Sequence, residues 1–172
     1  EDCRDRGLKV ATHTNGAFPE HVPGLVGEVD KVSLDVKAAW EHYYDVTGLN
    51  CARHVQAALA RYREAHAAST LPEFEVVHTV IRGHEADVPA VAAAAEGVDL
   101  VLQQGVWGRE PPLSLAEFQA LADQLHRPVR IRTKEIGEVL YQDGVFTIAG
   151  SIRVTDPERL QAYYKSGVRR GD

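Results

Sequence analysis

The sequence predicts an α/β protein built on parallel strands. Five short runs rich in Val, Ile and Leu recur along the chain, and stretches with helical periodicity separate them. A capping box at Ser114-Leu115-Ala116-Glu117 marks one helix start, and Asp143-Gly144 marks a single two-residue hairpin near the end. Strands that alternate with helices imply right-handed crossovers, in either a barrel or an open doubly wound sheet.

The elements follow in order. Residues 1–7, EDCRDRG, read as the polar last turn of a helix closed by Gly7. Leu8 to Thr12 is the first expected strand, and a short helical stretch runs from Glu20 to Val29. Val29 to Val36 is the second strand, short and β-branched. From about Asn50 to Ala68 an amphipathic helix carries Val55, Leu59 and Tyr62 on one stripe, with arginines and glutamate opposite. Phe74 to Ile81 is the third strand, Asp87 to Glu96 an alanine-rich helix, and Val98 to Gln104 the fourth strand.

The capping box launches a helix bearing Phe118, Leu121 and Leu125, and Pro128 to Thr133 is the fifth strand. The last forty residues change character. Alternating runs flank Asp143-Gly144 as a hairpin, and Asp156-Pro157 starts a short helix ending near Tyr164. The expected division is residues 1–136 as the βα portion and 137–172 as a hairpin-and-helix extension.

Composition narrows the function. The chain has 172 residues, with 44% hydrophobic and 26% charged, as in a globular protein with an ordinary core. A net charge of −6 argues against nucleic acid as a partner, since phosphate binding needs clustered Lys and Arg. The one basic cluster, Arg169-Arg170, reads as a solvated terminus. Cys3 and Cys51 make neither a disulfide framework nor a metal spacing. No apolar run reaches the roughly 18 residues of a membrane span, and no signal peptide is visible, so the expectation is cytoplasmic.

Ligands of parallel α/β folds gather at the carboxyl ends of strands. The first strand runs out into His13-Thr14-Asn15-Gly16 and the second into Asp35-Val36-Lys37. The third ends in Arg82-Gly83-His84-Glu85 and the fourth in Gln103-Gln104. Asp35 and Lys37, two apart, would face one side, either bracketing a polar ligand or forming a plain surface ion pair. Thr14-Asn15-Gly16 is either a ligand contact or a turn in which Gly16 supplies a positive φ and Asn15 a local bond. His78 and His84 read as packed or solvated histidines, and Tyr43 and Tyr44 as packing residues. The loop Gln104 to Pro112, with Trp107 and Arg109, either closes over the core or meets a partner.

The ordered series GLKVATHTNGAFPE, VDKVSLDVKA, YYDVTG, FEVVHTVIRGHEADV and LVLQQ resembles the radical S-adenosylmethionine activating enzymes. Within them it is most similar to the anaerobic ribonucleotide reductase activating proteins and their glycyl-radical relatives. The likeness covers roughly Gly7 to Gln104, and TNG placed before LDVKA is its most specific part. It implies a partial (βα)6 TIM-like barrel whose cofactor lies across the strand ends. Thr14 and Asn15 would then belong to the floor of the S-adenosylmethionine pocket. Asp35 and Lys37 would meet the cofactor's ribose and methionine portions, all on one nucleoside-sized hollow. The resemblance further implies a 4Fe–4S cluster that cleaves the cofactor reductively, giving a 5′-deoxyadenosyl radical that takes a hydrogen atom from a glycine of a partner. It also implies a reductant such as flavodoxin or ferredoxin.

The likeness breaks at the cluster. The family holds it with three cysteines spaced C-x3-C-x2-C, and Cys3 and Cys51 cannot supply three thiolates. The glycine-rich turn after the family's second strand is absent too. The expectation is a C-terminal portion of an activating enzyme, lacking its first βα units. His13 stands where the family usually has Asp or Glu before TNG, Val77 where it commonly has arginine, and Arg82 where it has proline. Two other readings are a 7-carboxy-7-deazaguanine synthase-like enzyme, which carries a TNG-like element, and a non-catalytic relative that only binds a partner or nucleotide.

Overall fold

A computed structural model describes residues 2–166, and the Arg169-Arg170 cluster lies outside them. The chain is α/β and divides into two compact units, the first Glu1–His78 with Ala95–Asp99, the second Thr79–Ala94 with Leu100–Asp172.

In the first unit, helix α1 (Asp2–Asp5) gives way to Gly7, whose φ of +71° only glycine adopts cheaply. Strand β1 (Ala11–Thr14) begins three residues later than the sequence suggests. The delay has a cause: the Val10 N–H donates to Asp30 Oδ2 (2.7 Å), and the ladder opens only at Ala11 opposite Lys31. His13 and Thr14 are therefore strand residues. A 3-10 turn (Pro19–His21) and α2 (Val22–Val26) lead to β2 (Lys31–Asp35), parallel to β1.

A second 3-10 turn (Trp40–His42) and α3 (Tyr43–Thr47), closed by the left-handed Gly48, precede α4 (Ala52–Ala67). Strand β3 (Glu73–Val80) pairs parallel to β2, with Asp35 opposite Val77. Residues two apart share a face of a strand. On one face, Val32, Leu34, Phe74 and Val76 are buried against the Val55, Ala58, Leu59 and Tyr62 stripe of α4. The Tyr62 and Phe74 rings stand 5.6 Å apart. Each such side chain contributes about 2 kcal/mol by leaving water.

The other face of β2 and β3 holds two buried polar side chains, Ser33 and Glu75. The Ser33 hydroxyl donates to Glu75 Oε1 (2.6 Å), and Lys31 Nζ lies 2.7 Å from Glu75 Oε2. Glu75 is 1% exposed.

The second unit takes the last two residues of β3, a 3-10 turn (Glu85–Asp87), α5 (Val88–Ala94) and β4 (Asp99–Gln104), the latter parallel to β5 (Val129–Thr133). Between them, α6 (Leu115–Asp123) starts at the expected box: Ser114 Oγ accepts from the Glu117 N–H, and Glu117 answers at the Ser114 N–H. The chain then turns antiparallel through β6 (Gly137–Gln142), β7 (Val145–Ile148) and β8 (Ile152–Val154). Asp143 and Gly144, both at positive φ, make the expected hairpin turn. Helix α7 (Pro157–Lys165) starts at Asp156, whose carboxylate accepts from the Glu158 and Arg159 N–H groups. Strand β8 and helix α3 were not foreseen in the sequence.

No helix among the described residues is long and apolar enough to cross a membrane.

Candidate functional site

The carboxyl ends of β1 and β2 lie side by side, because Thr14 is the register partner of Leu34, one residue before Asp35. Asp35 and Lys37 face the same side: Lys37 Nζ stands 2.9 Å from Asp35 Oδ2. Both side chains keep some access to water, 21% for Asp35 and 37% for Lys37. The second carboxylate oxygen, Oδ1, is shielded from solvent and accepts no hydrogen bond among the described residues. An enclosed carboxylate oxygen without a donor costs about 1–3 kcal/mol, and native folds keep such groups rarely.

The backbone between the two is fixed from both sides. His78 Nδ1 lies 2.8 Å from the Val36 carbonyl. A carbonyl only accepts, so Nδ1 carries the proton, which sets the tautomer of a histidine that is 1% exposed. The Val36 N–H donates to the Val77 carbonyl (2.9 Å), and the Lys37 N–H donates to the Tyr43 hydroxyl (3.4 Å). Burial, the largest influence, pushes the Tyr43 phenol up to about 12, so it stays neutral at physiological pH. Tyr43 stacks on Trp40 with ring centres 5.8 Å apart. The packing role expected for Tyr43 thus extends to holding the end of β2.

Thr14 and Asn15 behave differently from each other. Leu34 lies on the helix-facing side of the sheet, and Thr14, its register partner, shares that side, whereas Asp35 belongs to the opposite face. The Thr14 hydroxyl accepts from the Gly16 N–H (3.2 Å), a turn bond. The β1 and β2 tips are neighbours, but Thr14 and Asp35 do not face one hollow. Asn15 is exposed; its Oδ1 accepts from the Ala17 N–H (3.1 Å), which leaves its amide N–H groups for another acceptor. Gly16 has φ +68°, and a Cβ there would stand 2.9 Å from Leu34 Cδ1 and 3.2 Å from the Ala58 methyl. The abrupt Thr-Asn-Gly thus has a structural reason: the chain leaves the strand by pressing its backbone onto α4.

His13 is exposed, on the same strand face as Ser33 by register. The trio of half-buried Lys31 with buried Ser33 and Glu75 was not foreseen in the sequence. Its signal was there in retrospect, as Lys31, Ser33, Glu73 and Glu75 recur at period two.

In the second unit, Arg82 forms a two-pronged pair with Glu117 (2.8 and 3.0 Å) and donates to the Pro111 and Pro112 carbonyls. The Arg82 bond, reinforced by Ser114, holds the Glu117 carboxyl well below the carboxylate range, at about 2. Gln104 donates to the Leu113 carbonyl (2.8 Å). The loop carrying Trp107 is thus pinned at its base, while Trp107 itself is 61% exposed.

Asp35 and Lys37 present a carboxylate and an ammonium at the end of β2, and Asn15 an exposed amide at the end of the neighbouring β1, groups able to meet the polar atoms of a ligand. A cluster is another matter. Cys3 is exposed and Cys51 half-buried, and among the described residues no group of three or more His, Cys, Asp or Glu stands where it could hold a metal ion. The residues present do not fit an iron–sulfur cluster.

No protein-family model matches the chain, and no curated protein matches it significantly.

Proposed function

We propose that this chain is the S-adenosylmethionine-binding βα portion of a radical S-adenosylmethionine activating enzyme, with its parallel strands belonging to a partial (βα)6 TIM-like barrel. The observation that carries the reading is the Asp35–Lys37 pair at the carboxyl end of a parallel strand, with Asp35 Oδ1 enclosed and lacking a donor among the described residues. Lys37 meets the cofactor's carboxylate, Asp35 accepts from its ribose hydroxyls, and the Asn15 amide donates from the neighbouring strand end. Thr14 shapes the turn that presents Asn15. Tyr43 and His78 keep the Asp35–Lys37 backbone in place.

In this reading the 4Fe–4S cluster is held by cysteines that the chain does not supply. With a cluster and a reductant such as flavodoxin or ferredoxin supplied from outside these residues, S-adenosylmethionine held by Asn15, Asp35 and Lys37 would furnish hydrogen-atom abstraction toward a glycyl-radical partner such as anaerobic ribonucleotide reductase.

Calorimetric titration with S-adenosylmethionine tests the reading. The account expects saturable binding that Asp35→Asn and Lys37→Met each weaken about tenfold, the equivalent of one charge-assisted bond. Binding unchanged in both variants removes the site, and no binding at all removes the function.

A further inference from the structure

The antiparallel end of the chain carries a concavity of its own. It measures about 360 Å3 and lies on the outer face of the β6–β7–β8 ribbon. Leu140, Thr147 and Arg153 form one cross-strand row there, since Leu140 pairs with Thr147 and Thr147 with Arg153. The opposite face of the ribbon holds Val139, Tyr141 and Phe146, all buried beneath α6 and α7. The outer row has no such cover among the described residues, and Leu140 is 41% exposed.

We propose that this concavity binds a small molecule bearing an oxyanion, carboxylate or phosphate, with Arg153 as its cationic anchor. Thr147, Ser151 and Arg153 line the concavity, and none of the three side chains has a hydrogen-bond or ionic partner among the described residues. A guanidinium presents paired N–H donors in a planar fork that matches an oxyanion, and two hydroxyls add donors beside it. Leu140 and Val145 lay an apolar floor next to that polar set. The lining is mainly polar, with hydrogen-bonding side chains converging beside a small apolar patch, which at this volume suits a small polar ligand.

The backbone gives an independent sign. Ala149 at φ +48° precedes Gly150 at φ +75° in the β7–β8 turn, and the Ser151 N–H donates to the Ile148 carbonyl (3.1 Å). Alanine is strained there, where Asn, Asp or Gly is at ease. Strained backbone gathers where groups are held for a ligand, and this turn sets Ser151 against the concavity. Asp143, in the turn at the other end of β7, also lines the hollow. Its carboxylate repels a second anion and accepts from a hydroxyl or ammonium, so the ligand carries its acid at the Arg153 end and a donor at the other.

Heteronuclear NMR titration of the full chain tests this with two probes, inorganic phosphate and 3-hydroxybutyrate. The Arg153 Nε–H and the amides of Thr147 and Ser151 should shift saturably. A response to both probes or to one supports the site and tells a phosphate ligand from a carboxylate one. Arg153→Gln, at an exposed position, should weaken binding about tenfold with an unchanged melting temperature, and Thr147→Val by a smaller factor. No saturable shift with either probe, or shifts undiminished in Arg153→Gln, overturns the proposal. Its outcome is independent of S-adenosylmethionine binding.

Discussion

Lys37 reaches back two residues to Asp35, its Nζ 2.9 Å from Oδ2, and leaves Asp35 Oδ1 enclosed without a donor among the described residues. Such a pair, partly open to water, gains little from its own attraction. Removing one partner is uneven in effect. Lys37→Met leaves a half-buried carboxylate with neither oxygen paired and should cost about 1–2 kcal/mol in urea denaturation. Asp35→Asn leaves an ammonium that turns to solvent, and should cost less.

The trio of Lys31, Ser33 and Glu75 gives a sharper asymmetry. Glu75 is 1% exposed, whereas the Lys31 side chain is 26% exposed. Lys31→Met removes the ammonium beside a buried carboxylate and should destabilise by about 3 kcal/mol, while Glu75→Gln should cost about 1–2, since an amide can still accept from Ser33. Equal losses in the two variants would mean that Glu75 is not charged in the native state.

Stability should also fall in acid through Glu117. Its carboxyl sits at about 2 in the fold against 4.5 ordinarily, chiefly through Arg82. A depressed folded value stabilises above the unfolded one, so the contribution is whole above about pH 5 and fades as the pH falls toward 2. Glu117 is 44% exposed, which trims the effect to about 1 kcal/mol. Arg82→Gln should flatten the pH dependence of urea midpoints between pH 5 and 2, with most of the loss already present at pH 7.

Two backbone positions should respond in opposite directions. Gly16→Ala forces a Cβ within 2.9 Å of Leu34 Cδ1 at φ +68°, and should cost about 2–4 kcal/mol by thermal unfolding. Ala149→Gly relieves a left-handed alanine at φ +48° and should stabilise by about 1 kcal/mol.

What the sequence disclosed divides along a physical line. The Ser114 box, the Asp143-Gly144 turn and the Asp156 cap are rules acting within four residues, and all three stand in the fold as expected. The α4 stripe was readable because sixteen residues give several turns of periodicity. Strand β8 was not, being three residues long and paired with β7 alone among the described strands. Helix α3 is too short to show a period. The opposed faces of Thr14 and Asp35 depend on the β1–β2 register, set by Asp30 capping Val10 across the turn. The burial of Glu75 likewise follows from Lys31 and Ser33 on the next strand, a long-range pairing that no local pattern fixes.

The most direct test of the central claim maps where the ligand sits. Backbone amide shifts should be followed by NMR as S-adenosylhomocysteine is added to the labelled chain. The account predicts saturable changes centred on Asn15 and on Asp35 to Lys37, with Tyr43 and His78 responding behind them. Changes centred elsewhere, or none at saturating ligand, would contradict it.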